Sequence, residues 1–254
     1  MNYFQMINLA KIKSNIPNFI TVLNLFAGCI AVVQAFNGNL TTASWLIGIA
    51  AIFDFLDGMA ARLFKAYSDI GKQLDSLADI VSFGVAPAAI IFQLLVNSLG
   101  YEDYSDIFKK SESTIPFIAF LIAVFSALRL AKFNIDQRQA DHFIGLPTPA
   151  NAIFFASFPF LSGPLCSDPV CMLQNTWFIT GLVVFHSYLL VSEISLFSLK
   201  FKSLDIRNNS TRYVFLISAL ILLIILHYKS IPIIIYLYLL LSTFDVMKPK
   251  NKIK

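Results

Sequence analysis

Charged residues are scarce in this sequence, at 13% of its 254 residues. No Asp, Glu, Lys or Arg occurs between Lys13 and Asp54. Such a composition excludes an ordinary soluble domain. Hydrophobic residues make up 57% of the chain, and 25 residues are Phe. We therefore expect an integral membrane protein, with a lipid bilayer as the solvent for most of its surface.

Cysteine is equally scarce, with three residues in the whole chain. This number is too small for a disulfide framework or a cysteine-rich metal site. Cys166 and Cys171 fall in a loop that we expect to face outward. An oxidising compartment could pair them there, and two unpaired thiols are the alternative.

Long stretches without charge predict the membrane-spanning helices. The gap between Lys13 and Asp54 is interrupted only by the turn-forming sequence Asn37-Gly38-Asn39, so it holds two spans. Four further stretches can each cross a hydrocarbon core of roughly 30 Å at about 1.5 Å per residue. These stretches are 80–101, 113–128, 142–167 and 169–192. Two shorter ones, 213–228 and 230–244, predict a tight helical hairpin. The expected fold is an all-α, polytopic membrane helical bundle of eight transmembrane helices.

The Lys and Arg residues predict how these helices are oriented, because cytoplasmic loops are enriched in both types. With a cytoplasmic N-terminus, all of the 19 Lys and Arg residues face the cytoplasm apart from Lys109, Lys110 and Lys229. The C-terminus is then cytoplasmic as well. This distribution explains the net charge of +4, and the sequence contains no motif for binding nucleic acid.

The chain is predicted to have three parts. Residues 1–15 form an amphipathic helix on the cytoplasmic membrane surface. Residues 16–197 form a core of six transmembrane helices, and residues 198–254 form the two-helix hairpin with a basic tail.

Acidic residues at the cytoplasmic ends of the second and third spans form the most informative pattern. Asp54 and Asp57 are three residues apart, and Asp75 and Asp79 are four apart, so each pair shares one helix face. Because the two helices are antiparallel neighbours joined by a short basic loop, the four carboxylates can converge near the cytoplasmic interface. Ionisable groups at membrane depth are costly and indicate a functional site.

Converging carboxylates repel one another unless a cation neutralises them. A set of oxygen ligands suits Mg²⁺ or Mn²⁺, and no neighbouring His or Cys indicates zinc. Such ions bind the oxygens of a pyrophosphate. Gly58 and Gly71 leave space for a nucleotide or for the close approach of a neighbouring backbone. Arg62 adds a planar set of donors for phosphate, and Ser68 adds a hydroxyl.

A purely structural interpretation of these aspartates is the alternative. They could cap helix starts, where the macrodipole favours acidic residues, and pair with Arg62, Lys65 and Lys72. This arrangement is poor for stability alone, because the acids outnumber the bases and Asp54 lies on the apolar side of Asp57.

The pattern from Asp54 to Asp79, D-x-x-D-G-x-x-A-R-x8-G-x3-D-x3-D, resembles the signature of the CDP-alcohol phosphotransferases in every specified position. The resemblance implies that Asp54, Asp57, Asp75 and Asp79 hold two divalent metal ions. It implies that Asp79 is the catalytic proton acceptor. It also implies a set of residues that bind the CDP-lipid. This set is Pro17, Asn18, Thr21, Gly58, Ala61, Arg62, Ser68 and Gly71. Local helix capping by Asn18 and Thr21 is an alternative for those two residues.

Three further segments, 16–21, 129–134 and 145–151, resemble the phosphatidylserine synthase branch of this family. The resemblance implies CDP-diacylglycerol and L-serine as substrates, membrane lipid as a partner and a homodimer. It places the protein in the inner membrane of a bacterial cell, with the site facing the cytoplasm. Arg129 could hold the carboxylate of the acceptor or a lipid phosphate, or it could snorkel to the interface. Asn134 could add hydrogen bonds to the acceptor.

The predicted reaction transfers a phosphatidyl group from CDP-diacylglycerol to L-serine and releases CMP. Another acceptor, glycerol 3-phosphate or inositol phosphate, stays open, because the signature is common to all such enzymes. A divalent-cation transporter that uses the four carboxylates is the alternative from another class. It gives no reason for the glycines and Arg62.

Overall fold

The computed structural model describes residues 3–101, 114–136, 142–161, 173, 175–197 and 209–247. These residues are almost all helical. The α-helices are α1 (Tyr3–Phe36), α2 (Leu40–Phe64), α3 (Asp69–Asp79), α4 (Ala86–Ser98), α5 (Leu121–Ile135), α6 (Thr148–Ala156), α7 (Phe158–Leu161), α8 (Thr176–Val191), α9 (Ser210–Leu226) and α10 (Ile231–Met247). Cys166 and Cys171, Lys109 and Lys110, and the end of the basic tail lie outside the described residues.

Four helical stretches within the described ranges are long and apolar enough to cross a bilayer. They are Asn15–Phe36, Asp69–Ser98, Ile115–Ile135 and Ser210–Asp245. The last stretch contains both α9 and α10. Helix α8 is apolar but shorter. The membrane character predicted from composition is therefore confirmed, whereas the number of eight spans and the positions of the termini stay predictions.

The first two helices pack against each other along their length. The turn between them lies at the predicted Asn37-Gly38-Asn39, where Gly38 has a φ of +78°. Helix α1 is continuous from Tyr3, so residues 3–14 extend the first span as helix; their place on the membrane surface stays a prediction. Pro17 lies inside α1, and its carbonyl oxygen lies 3.0 Å from Oγ1 of Thr21.

The third long stretch changes its helical form directly after Asp79. Helix α3 begins at Ser68, whose hydroxyl accepts a hydrogen bond from the amide of Gly71 at 3.0 Å. A π-helical segment, Ile80–Val85, then joins α3 to α4. Its Ser82 is fully buried and donates to the carbonyl of Asn24 in α1 at 3.0 Å. Segments of this kind occur often at functional sites.

A short β-pair departs from the all-helical prediction. Strand β1 (His142–Ile144) pairs antiparallel with β2 (Ser195–Phe197), and Phe143 lies opposite Leu196. The predicted fifth span begins with this strand and continues as α6 and α7. Strands of three residues are too short for an alternating pattern to appear in an apolar sequence, so the sequence could not indicate them.

The last two helices form an antiparallel hairpin around the turn His227–Ser230. Thr211 at the start of α9 donates to Asp245 at the end of α10 at 2.5 Å. Tyr238 of α10 packs with Leu196, Phe197 and Phe215 in a small hydrophobic cluster. The main core lies between α1, α2, α4, α5, α6 and α8. Its largest fully buried side chains include Ile47, Phe83, Ile90, Ile91, Leu95, Ile122 and Phe155.

Candidate active site

Three aspartates meet where α2 and α3 lie side by side. Asp54, Asp57 and Asp75 each offer one carboxylate oxygen, and these oxygens all lie within 4.8 Å of one another. Asp57 is buried, and the other two are half-buried. The spacing within α2 and the short connection to α3 therefore produce the convergence that the sequence predicted for these three residues.

One carboxylate of the cluster is held by a hydrogen bond, and another has an oxygen without a partner. The hydroxyl of Thr21 donates to Oδ2 of Asp57 at 2.7 Å, which is typical of a strong hydrogen bond to a charged acceptor. Oδ1 of Asp75 is buried and has no hydrogen-bond partner among the described residues. A buried carboxylate oxygen without a donor is costly unless a cation satisfies it.

The fourth predicted ligand, Asp79, is held differently. Its carboxylate is 7% exposed and accepts a hydrogen bond from the side-chain amide of Asn24 at 3.4 Å. It interacts electrostatically with Asp54 and Asp75, but it does not join the three oxygens that lie within 4.8 Å. One turn of helix separates it from Asp75, a rise of about 6 Å along the axis. Its roles as metal ligand and proton acceptor stay predictions.

The cluster fits a hard divalent cation. All of its donor atoms are carboxylate oxygens, which Mg²⁺ and Mn²⁺ prefer, and neither His nor Cys joins the group among the described residues. The unpartnered Oδ1 of Asp75 and the mutual repulsion of three carboxylates both call for positive charge.

A cavity of about 510 Å³ opens beside this cluster, between α1, the end of α2 and the start of α3. We call it the α1–α3 cavity. All the residues predicted to bind the CDP-lipid line it. They are Pro17, Asn18, Thr21, Gly58, Ala61, Arg62, Ser68 and Gly71. Asp57 and Asp75 lie in the same wall, so the carboxylates face the cavity. The structure thus brings these residues together, and their roles in binding stay predictions.

The two glycines of the α1–α3 cavity have different surroundings. A Cβ atom on Gly71 would lie 2.8 Å from Oδ1 of Asn18 and 3.0 Å from Oγ of Ser68. A Cβ on Gly58 would meet only Nη1 of Arg62, at 4.0 Å. Gly71 therefore lets Asn18 approach the start of α3, and Gly58 leaves open space above the carboxylates.

The sequence did not single out several other residues of this wall. Ala66, Tyr67, Asp69 and Lys72 also line the α1–α3 cavity. They belong to the loop and first turn between the two aspartate pairs, where no spacing rule applies. Lys65 closes α2 in the left-handed conformation, with a φ of 51°, and so directs this loop over the cavity. Asn24, which donates a hydrogen bond to Asp79, is distinguished in the sequence only as a polar residue in an apolar helix.

A second cavity, of about 320 Å³, lies beside Arg129. We call it the Arg129 cavity. Its wall also includes Lys132, Ile144, Ser192 and Glu193. Arg129 is 7% exposed and donates through Nη1 to the hydroxyl of Thr148 at 3.1 Å, whereas its buried Nε has no partner among the described residues. The buried side chain favours binding of a ligand over the alternative that Arg129 simply snorkels to the interface, and its role in binding stays a prediction.

The guanidinium of Arg129 links the Arg129 cavity to the aspartates. It interacts electrostatically with Asp79, so the Arg129 cavity and the carboxylates lie close to each other. The ring of Phe133 lies 5.2 Å from its Cζ atom and covers one side. Arg129 is therefore placed to hold an anion near Asp79.

Asn134, the other residue predicted to bind the acceptor, lies elsewhere. Its side-chain amide donates to Oγ of Ser76 at 2.8 Å, and its backbone carbonyl accepts from Nζ of Lys72 at 3.0 Å. It does not line the Arg129 cavity. Its contacts join α5 to α3, so this residue fixes the position of the aspartate helix; binding of the acceptor by Asn134 stays a prediction.

Comparison with known proteins agrees with the geometry. Residues 14–189 match the family described as CDP-alcohol phosphatidyltransferase. The CDP-diacylglycerol–serine O-phosphatidyltransferase of Bacillus subtilis (strain 168) is 35% identical over 183 residues, which cover 70% of this chain and 88% of that protein. The protein of the same name from Methanocaldococcus jannaschii is 33% identical over 191 residues, covering 74% of this chain and 76% of that protein. The archaetidylserine synthase of Methanothermobacter thermautotrophicus is 35% identical over 162 residues, covering 62% of this chain and 64% of that protein.

Proposed function

The chain belongs to the CDP-alcohol phosphatidyltransferase family, and from this premise we propose that it transfers the phosphatidyl group of CDP-diacylglycerol to L-serine. The products are phosphatidylserine and CMP. The single observation that carries the proposal is the convergence of Asp54, Asp57 and Asp75 beside the α1–α3 cavity, whose wall includes Asp57 and Asp75. The serine acceptor is supported by the names of the similar proteins.

The α1–α3 cavity is suited to the CDP group. Arg62 is exposed at its wall and offers a planar donor fork for a phosphate. Ser68 already accepts a hydrogen bond from Gly71, and its O–H stays available to donate. Residues 17–21 supply the opposite wall with Asn18 and Thr21. The nucleotide end therefore lies in the polar cavity, while the acyl chains extend into the bilayer.

The carboxylates Asp54, Asp57 and Asp75 would hold Mg²⁺ or Mn²⁺, and we propose two ions with Asp79 as a further ligand. Such cations supply the positive charge that a pyrophosphate needs when it is brought near carboxylates. Thr21 holds Asp57 in its orientation by a hydrogen bond, which keeps the cluster aligned before substrate binds.

The reaction is a displacement at the lipid-side phosphorus of CDP-diacylglycerol. Asp79 accepts the proton of the serine hydroxyl while that oxygen forms a bond to phosphorus. The bond from phosphorus to the bridging oxygen breaks, and CMP leaves. Asn24 holds one oxygen of Asp79 through its amide, and the other oxygen can then face the hydroxyl. No covalent enzyme intermediate is needed.

The Arg129 cavity is the proposed site of serine. The guanidinium of Arg129 has a buried Nε without a partner among the described residues, and a serine carboxylate supplies the missing acceptor. The electrostatic interaction between Arg129 and Asp79 supports a position of the bound amino acid beside the proposed base. A substrate bound in this way brings its hydroxyl toward the α1–α3 cavity.

Acceptor-dependent release of CMP tests this function. Purified protein with CDP-diacylglycerol and Mn²⁺ should release CMP when L-serine is added. Release only with glycerol 3-phosphate or inositol phosphate would reject serine as the acceptor. Transport of Mg²⁺ or Mn²⁺ across vesicles without consumption of CDP-diacylglycerol would instead identify a cation transporter.

The finer topology is part of the same proposal. The chain has eight spans, with both termini and the carboxylates on the cytoplasmic side of a bacterial inner membrane. Residues 1–15 lie on the membrane surface, residues 16–197 form the catalytic core, residues 198–254 form the hairpin and tail, and two copies form a homodimer. The positions of Lys and Arg along the chain support this orientation.

A further inference from the structure

The β-pair forms part of the wall of the Arg129 cavity. Ile144 is the last residue of β1, and Ser192 and Glu193 lie in the short connection between α8 and β2. The turn after β1 is bonded to the end of α8, because the amides of Gly145 and Leu146 donate to the carbonyls of Ile194 and Leu189 at 2.9 and 3.0 Å. The wall therefore keeps its shape only while this paired segment stays in place.

Gly145 allows the close contact on which this wall depends. Its φ is +74°, and a Cβ atom there would lie 2.6 Å from the carbonyl oxygen of Leu190. Only glycine fits both requirements without strain. The segment 144–146 is thus built to lie directly on the end of α8.

Helix α10 packs against β2, and its Tyr238 makes the most specific contact. The Tyr238 side chain is 8% exposed, and its hydroxyl donates to the carbonyl of Phe197 in β2 at 2.8 Å. Its ring also lies against the rings of Phe197 and Phe215, at centroid distances of 5.1 and 5.5 Å. Tyr238 thereby fixes the strand that pairs with β1, whose Ile144 lines the cavity.

We propose that Tyr238 is a positioning residue for the acceptor pocket, which it stabilises by fixing β2, the strand paired with β1. Tyr238 lies beyond residues 14–189, the region that matches the family. The C-terminal hairpin is therefore a working part of the acceptor site as well as a membrane anchor. The proposal rests on the proposed function for the identity of the acceptor alone.

A matched pair of variants tests this role of Tyr238. Tyr238→Phe removes the hydroxyl that bonds Phe197, while Tyr236→Phe removes a hydroxyl of the same helix that bonds Nε2 of His186 at 3.0 Å, away from the β-pair. We expect Tyr238→Phe to raise the KM for serine about 3- to 10-fold, the effect of one lost hydrogen bond. The KM for CDP-diacylglycerol and the turnover at saturating serine should stay close to those of the unaltered protein. Tyr236→Phe should leave both KM values unchanged.

Hydrogen exchange supplies a readout that needs no turnover. The amides of Gly145 and Leu146 should exchange faster in Tyr238→Phe than in Tyr236→Phe. Unchanged exchange together with an unchanged serine KM would overturn the proposal, and so would an equal rise in both KM values. A protein that releases CMP with another alcohol contradicts serine as the acceptor. In that case the KM comparison uses that alcohol, and the exchange comparison is unaffected.

Discussion

The side-chain amide of Asn24 donates a hydrogen bond to Oδ1 of Asp79 at 3.4 Å, across the interface of α1 and α3. Asn24 is fully buried, and its backbone carbonyl accepts from Ser82 in the π-helical segment that follows Asp79. Two contacts therefore fix Asn24 relative to the proposed base. The side-chain oxygen of Asn24, Oδ1, has no partner among the described residues and can accept a hydrogen bond from substrate or water.

Replacing Asn24 should slow the chemical step. Asn24→Leu keeps the volume of the side chain but leaves Asp79 without its donor. A hydrogen bond to a charged group contributes enough to predict a fall in kcat of about 10- to 100-fold. The KM for CDP-diacylglycerol should change little. The measurement is the rate of CMP release at saturating substrates.

Asn97→Leu is the control for this substitution, because Asn97 is exposed and bonds Gln93 within α4. A loss of activity equal in both variants would remove Asn24 from the catalytic arrangement.

Replacing Asp75 should weaken metal binding. Asp75→Asn removes one of three carboxylates whose oxygens lie within 4.8 Å of one another. The amide carries no charge, so we expect the Mn²⁺ concentration for half-maximal activity to rise by at least about 10-fold. Asp245→Asn makes the same chemical change at a residue that bonds Thr211, outside both cavities. If the two variants required the same Mn²⁺ concentration, the carboxylate cluster would not be the metal site.

Adding a methyl group at Gly71 should weaken binding of the CDP-lipid. The new Cβ would lie 2.8 Å from Asn18 Oδ1 and 3.0 Å from Ser68 Oγ, both ends of side chains that can turn aside. The fold should therefore tolerate Gly71→Ala, but two proposed ligands of the nucleotide would be displaced. We expect the KM for CDP-diacylglycerol to rise about 10-fold, with the serine KM unchanged. Gly48→Ala is the control, since nothing lies within 4 Å of its added Cβ.

A methyl group at Gly28 should instead reduce stability. Its Cβ would lie 2.8 Å from the Cα atom of Ser82, a backbone atom that cannot turn aside. Helix α1 and the π-helical segment would have to separate, and overpacking of this kind costs about 1–3 kcal/mol. Thermal unfolding in detergent should occur at a lower temperature for Gly28→Ala than for Gly181→Ala, whose Cβ has open space. Equal midpoints would show that the two helices can shift freely.

Local spacing explains what the sequence could predict. The intervals within Asp54–Asp57 and Asp75–Asp79 place each pair on one helix face, and the short loop brings the helices together. The same interval also separates Asp79 from Asp75 by about 6 Å along the axis. For this reason three carboxylates meet closely, while Asp79 reaches Asn24 instead.

Contacts between distant parts of the chain could not be predicted from the sequence. The β-pair joins residues 142–144 to 195–197, and no periodicity in such short segments indicates a strand. Tyr238 contacts Phe197 through packing of α10, which hydropathy describes only as one more span. Asn134 likewise bonds Ser76 because of the way α5 crosses α3.

The π-helical segment Ile80–Val85 makes the site tolerant of a length change at one place and sensitive to it elsewhere. A π turn holds one residue more than an α turn, so deletion of a single residue there would let the stretch relax to a regular α-helix with Asp75 and Asp79 nearly in phase with α4. A deletion inside α3, between the aspartates and the π-helical segment, cannot be absorbed in this way and would rotate one side by about 100° relative to the other. With α4 anchored in the core, that rotation would carry Asp75 and Asp79 away from α1 and α2. Loss of one codon would thus dismantle the site within α3 and preserve its alignment within the π-helical segment, while the hydropathy of the span stays almost unaltered in both cases.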